Sequence, residues 1–196
     1  MRKTGLRVLG DLPWGRHVAL FYEKKDDLLE TCAPFLAAGL EVNEVCVWVI
    51  AEPLTEKDAW PALRRAVPGL ERYRRDRRVE ILPSQTWYLT GDSPDLQKAA
   101  RGWDAKLADA LDQGHEGLRV AASAPRLETR DWDDFFAYEQ RLNSYLSDKP
   151  MLVLCLYPVP AARAADVVRT HPTTLRRRLG EWERADAHPP DPRSPQ

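Results

Sequence analysis

His17-Val18-Ala19-Leu20-Phe21-Tyr22 runs directly into Glu23-Lys24-Lys25-Asp26-Asp27, and then into Leu28-Leu29, Cys32 and Phe35-Leu36. The first run is short and almost wholly apolar, the character of a strand covered on both faces. The last set shares one face at helical spacing. A covered strand followed at once by an amphipathic helix opens a β-α-β crossover, so this stretch sets the fold class. Four more runs resemble the first: Val45–Ile50, Val79–Leu82, Leu118–Ala122 and Met151–Tyr157. Helical periods separate them. Glu56–Val67 carries Trp60, Leu63 and Val67, opens on Thr55-Glu56-Lys57-Asp58 and stops at Pro68-Gly69. Leu96, Ala100, Trp103, Leu107 and Leu111 form a stripe, with Ser93 expected as N-cap, Pro94 in the first turn and Gly114 beyond the end. Trp132–Leu146 places Phe135, Phe136, Leu142 and Leu146 on its apolar side.

Pro158 and Pro160 break the chain after the last run, and two weaker helices are expected, at about Ala161–Arg169 and Thr174–Glu183. Ala185–Gln196, with four prolines after His188, reads as a disordered tail. The expectation is an N-terminal arm at 1–11 and one α/β domain over 12–184. That domain has three layers, a mainly parallel sheet of five or more strands with helices on both faces.

Composition narrows the function classes. The 196 residues hold 29 Lys+Arg against 30 Asp+Glu, so the balance gives no general attraction to nucleic acid or to an anionic membrane. No apolar run approaches the roughly 20 residues of a bilayer span. Met1–Gly10 lacks the apolar core of a signal peptide. Cys32, Cys46 and Cys155 follow neither a disulfide framework nor a metal-knuckle spacing. A reducing cytoplasm is the expected compartment.

In open parallel sheets ligands settle at the carboxyl ends of the strands. Those ends carry Tyr22-Glu23, Glu52, Ser84 with Trp87-Tyr88, Ser123 and Tyr157. A phosphate binder would place glycines after the first strand so that backbone N–H groups cradle the anion. This chain places three carboxylates there, among two lysines, and has no GxGxxG or GxxxxGK[ST]. Catalytic signatures are equally thin, with no GxSxG, HExxH or CxxC. Cys155 could pair with His17 or His171 as a nucleophile, but a thiol inside an apolar strand is ordinarily an inert hydrophobe. His17 shares a face with Ala19 and Phe21 and is either bonded to a carbonyl or in contact with a ligand. His171 sits in the loop Thr170-His171-Pro172 and could cap a helix or face a pocket.

Arg176-Arg177-Arg178 and the cluster Arg72, Arg74, Arg75, Arg77 and Arg78 lie in no helix-turn-helix pattern, so direct DNA binding is not expected. They could form a salt-sensitive docking face. Gln85-Thr86-Trp87-Tyr88-Leu89 puts large aromatics where a polar loop would be usual, either as the apolar wall of a pocket or as a lid packed on its own core.

Several short stretches, in order, resemble one family. They are Gly15-Arg16-His17-Val18-Ala19-Leu20-Phe21-Tyr22-Glu23, Pro34-Phe35-Leu36 with Gly39-Leu40, Trp87-Tyr88-Leu89 and Gly117-Leu118-Arg119-Val120. Tyr138-Glu139-Gln140-Arg141-Leu142-Asn143, Cys155-Leu156-Tyr157 and Thr170-His171-Pro172 continue the series. Together they resemble the MEDS domain, the methanogen/methylotroph DcmR sensory domain, over about residues 12–180. The resemblance implies a cytoplasmic sensory module of RecA/KaiC-like fold without the phosphate loop, sensing hydrocarbon derivatives and joined to transcriptional or histidine-kinase outputs. It marks His17, Phe21, Tyr22, Trp87, Tyr88, Tyr138, Glu139, Cys155, Tyr157 and His171 as ligand-binding candidates. One departure stands out. Where the family tends to have a Gly-Glu pair near a Trp, this chain reads Ala121-Ala122-Ser123-Ala124-Pro125.

The leading expectation is therefore a non-catalytic domain that needs no cofactor. It binds a small, largely apolar effector and signals to a separate protein, a transcription factor or kinase, and a homodimer is possible. Three other readings stay open: a metal or haem sensor through His17, Cys155 and His171, a partner-docking scaffold with a vestigial pocket, and a nucleotide-dependent enzyme.

Overall fold

The computed structural model describes residues 1–91, 93–125, 131–159 and 164–186. Two short paired strands, β1 (Arg2–Lys3) and β2 (Asp11–Leu12), come first. Then follow β3 (Arg16–Tyr22), α1 (Lys25–Glu41), β4 (Val45–Ile50), α2 (Glu56–Ala66), α3 (Leu70–Arg75), β5 (Val79–Pro83) and α4 (Ser84–Tyr88). The pair β6 (Leu89–Thr90) and β7 (Ser93–Pro94) leads into α5 (Leu96–Asp112), β8 (Leu118–Ser123), α6 (Trp132–Leu146) and β9 (Met151–Pro158). The described chain ends with α7 (Ala164–Thr170), β10 (Thr173–Arg178) and β11 (Glu181–Asp186).

The five apolar runs become β3, β4, β5, β8 and β9 of one sheet, ordered β11-β10-β3-β9-β8-β4-β5 among the described residues. Every neighbouring pair is parallel except the edge pair β10–β11. The runs are continuously apolar because both sheet faces are covered. On one face Val18, Leu20, Trp48 and Leu154 pack with Leu28, Phe35 and Leu36 of α1 and with Leu63 of α2. On the other, Val47, Val49 and Val120 meet Trp103 and Leu107 of α5 and Leu142 and Leu146 of α6, while Ala19, Phe21, Cys155 and Tyr157 meet Phe135 and Phe136. Alternate residues of a strand point to opposite faces. His17, Ala19 and Phe21 thus belong to the α6 side.

The structure corrects three local readings. Thr174–Glu183 is not a helix but the hairpin β10–β11, whose turn places Leu179 at φ 51° and Gly180 at φ 84°. Leu175, Leu179 and Trp182 fall at helical spacing, which is why the stretch reads as a helix, yet Leu179 is 97% exposed at the hairpin turn. As a strand, Thr173–Leu175 instead joins β3 in parallel and is buried. The expected tail accordingly begins inside β11, which runs to Asp186; residues 187–196 lie outside the described ones. Asp95, not Ser93, caps α5, accepting the Lys98 backbone N–H, because Ser93-Pro94 pairs with Leu89-Thr90. Of the expected helix at 161–169, α7 is described from Ala164 onward; residues 161–163 fall outside the described ones.

Candidate functional site

The α6-side face carries a compact polar cluster. Register sets His17 of β3 beside Val153 of β9, Ala19 beside Cys155 and Phe21 beside Tyr157. From above, Glu139 and Asn143, one helical turn apart on α6, reach toward the sheet. The last residue of α7 is Thr170, and the turn before β10 supplies His171. Donor atoms of His17, Glu139, Cys155 and His171 all lie within 4.8 Å of one another, and the four residues are at most 5% exposed.

The hydrogen bonds around this cluster fix both imidazole tautomers. Asn143 Nδ2 donates to the Thr170 carbonyl at 2.9 Å, so its Oδ1 is the atom facing His17 Nε2 at 2.9 Å. An amide oxygen only accepts, and His17 therefore carries its hydrogen on Nε2. His171 Nδ1 lies 2.8 Å from the Val167 carbonyl and so donates from Nδ1. The remaining nitrogens, His17 Nδ1 and His171 Nε2, turn lone pairs inward. They stand 3.9 and 3.3 Å from Glu139 Oε2. None of these three atoms has a hydrogen-bond partner among the described residues. Burial, with His171 nearby, holds the His17 imidazole down at about 4, so it is neutral at physiological pH. Burial likewise pushes the thiol of Cys155 and the phenol of Tyr157 well up, with Glu139 adding to both.

Beside the cluster lies a narrow cavity lined by Tyr88, Trp103, Phe135, Tyr138, Cys155 and Tyr157 among others. Its room for the centre of a water-sized sphere is about 20 Å³. That suits about one water molecule and is far too little for a macrocycle. An open groove of about 630 Å³ runs over Ser93–Gln97 of the α5 entry and Asp131–Tyr145 of the α6 side. Tyr138, Leu142 and Tyr145 line both spaces, so these side chains are the partition between the groove and the buried cavity.

The turn after β3 is closed to phosphate. Asp27 Oδ2 accepts the backbone N–H groups of Glu23 and Lys24 at 2.9 and 3.2 Å, and its other oxygen meets Arg177 at 2.5 Å. The amide donors a phosphate would need are already held by a buried carboxylate. Arg177 also pairs with Glu30, so part of the arginine run is committed within the chain.

Of the ten candidates read from sequence, His17, Glu139, Cys155 and His171 form the cluster. Tyr88, Tyr138 and Tyr157 line the cavity, and the Phe21 ring lies tilted 6.0 Å from Tyr157. Tyr22 and Trp87 are elsewhere. Tyr22 points to the α1 side beside Cys32, and Trp87 packs 4.2 Å from Trp103 and against Gly102, away from the cluster. The metal set expected from sequence, His17, Cys155 and His171, lacks Glu139, and Asn143 and Trp103 are not among the sequence candidates. The signal for Asn143 was its i, i+4 spacing from Glu139 on one helix. The strand-end shortlist is not gathered into one site. The polar groups converge instead on the face of the sheet, beneath α6.

Residues 16–172 match the family described as MEDS, the MEthanogen/methylotroph, DcmR Sensory domain. No curated protein matches the chain in sequence. Among solved structures, a KaiC-like protein from the hyperthermophilic archaeon Pyrococcus horikoshii superposes with a TM-score of 0.61 at 18% identity, covering 93% of this chain and 84% of that one. At that identity the likeness is one of fold.

Proposed function

Because the chain belongs to the MEDS family of sensory domains, we propose that it senses a small, largely apolar molecule in the cavity under α6 and passes the bound state to a protein partner. The supporting observation is the partition of Tyr138, Leu142 and Tyr145 between the open groove and the buried aromatic cavity. In the present state the cavity is closed, and an effector enters when α5 and α6 part. Aromatic rings supply the apolar wall, and the Tyr157 hydroxyl, buried without a hydrogen-bond partner, orients the effector's single polar group. Separation of two helices packed on the sheet is then the signal, read by a transcription factor or kinase in the cytoplasm.

The domain does this without catalysis. Its thiols are buried and held protonated, and its first strand-to-helix turn is filled by Asp27. No helix is long and apolar enough to cross a membrane among the described residues.

The test is a thermal-shift and native mass-spectrometry screen of the full chain against short alcohols, thiols, amines and halogenated hydrocarbons. One class should raise the melting temperature in wild type and lose that effect in Tyr138→Ala and Tyr157→Phe. If no compound binds, and neither variant changes capture or regulation of a partner, the effector reading fails.

A further inference from the structure

We propose that His17 Nδ1, His171 Nε2, Glu139 Oε2 and Cys155 Sγ hold a divalent transition-metal ion, zinc by preference. The inference concerns a cluster beside the cavity, of which Glu139 and Cys155 line it, and does not rest on the effector reading.

The first ground is electrostatic. The amide of Asn143 and the carbonyls of Thr170 and Val167 fix both tautomers, so two nitrogen lone pairs are aimed at a carboxylate oxygen in a buried space. Three buried polar atoms that face one another without a hydrogen-bond partner among the described residues are unfavourable. A cation at their centre converts that repulsion into coordination. The second ground is spacing. In a tetrahedral site with bonds of about 2.0 Å, neighbouring nitrogen and oxygen donors stand about 3.3 Å apart. The observed separations to Glu139 Oε2 are 3.3 and 3.9 Å, and the whole set falls within 4.8 Å, so closure needs side-chain shifts rather than backbone movement.

The third ground is the outer shell. A metal-bound histidine nearly always donates its other N–H to a carbonyl or carboxylate, which fixes ring orientation. Both histidines do so, to Asn143 Oδ1 and to the Val167 carbonyl. Two imidazoles, one carboxylate and one thiol fit zinc or a related first-row ion; calcium and magnesium demand more oxygens. Binding converts the Cys155 thiol to a thiolate and releases its proton to solvent.

The experiment uses the full chain, stripped with a chelator and titrated with Zn²⁺ or Co²⁺ alone. One equivalent should bind, and the cobalt form should show tetrahedral ligand-field absorption with a thiolate-to-cobalt charge-transfer band. Asn143→Leu, which keeps all four ligands, should weaken binding about 10–100-fold. The double variant His17→Ala/His171→Ala should abolish it, and His115→Ala, remote from the cluster, should leave it unchanged. Should the double variant fail to fold, calorimetry of wild type in two buffers of different ionisation enthalpy still decides, since binding must release a proton. Binding below one equivalent, uptake that survives in a folded double variant, a cobalt spectrum without the charge-transfer band, or binding without proton release each overturns the site. No organic compound is present, so the outcome is independent of the effector screen.

Discussion

Arg119 and Glu44 meet at both ends, Nε 2.6 Å from Oε2 and Nη2 3.1 Å from Oε1, with neither side chain exposed. Arg119 also donates to the carbonyls of Lys3 and Phe35, and Arg2 bonds the same carboxylate. The pair thus ties β1, α1 and β8 together. Gly39 makes room for it, since a Cβ there would come within 2.7 Å of Arg119 Nε.

Removing one member leaves the other charge buried without compensation. Arg119→Met should cost about 3–5 kcal/mol in urea unfolding, and Glu44→Leu a similar amount. The double substitution should recover much of that loss. A double variant as unstable as the sum of the singles would mean the pair does not act as a unit.

Asp27 makes a second testable contact set. Asp27→Ala removes the acceptor for two backbone N–H groups and the partner of Arg177, and should destabilise the fold by about 3 kcal/mol. Its carboxyl is held below the ordinary range by those backbone N–H groups and by Arg177. A depressed acid contributes stability above its unfolded value, near 4, that is lost as pH falls further. The wild type should take up no ATP with magnesium in calorimetry, because Asp27 occupies the amide donors. Measurable ATP binding would contradict that account of the turn.

His17 gives a signed pH dependence. Its imidazole titrates at about 4 in the folded chain against about 6.5 when unfolded. Between those values the unfolded state binds the extra proton, so stability falls with falling pH, by up to about 1.4 kcal/mol per unit. Above pH 6.5 the contribution is fully present, and below 4 no further loss comes from this group. Denaturant midpoints from pH 7.5 to 5, measured in chelator, should show the slope in wild type and a shallower one in His17→Gln. Parallel curves would place the titration elsewhere.

Cys32, Cys46 and Cys155 are all buried, and burial raises each thiol. A thiol-alkylating reagent should therefore modify none of them over the lifetime of the native fold and all three in denaturant, read by intact mass. Rapid native labelling of Cys155 would show that the cavity opens on its own.

Much of the fold is legible in the residues. Continuous apolar runs such as Val45–Ile50 are extended because six residues are too few for a buried helix, and they are apolar on both sides because helices cover both faces. The absence of a phosphate cradle after β3 is visible as carboxylates where glycines would stand. The hairpin β10–β11 is not visible, since Thr173–Leu175 becomes a strand only by pairing with β3, some 150 residues earlier in sequence. Arg119 reads as an oddity in an apolar run until Glu44 is placed against it.

The same division holds for the site. Sequence alone determined the layered α/β architecture, because periodicity is a local property; residue chemistry raised His17, Cys155 and His171 as suspects, and the family resemblance added Glu139. Tertiary structure alone decided that these four meet, that Tyr22 and Trp87 do not join them, and which imidazole nitrogen faces inward. Those outcomes depend on parallel register between distant strands, on the face a strand residue takes, and on the α7 carbonyls of Val167 and Thr170. No local pattern encodes them.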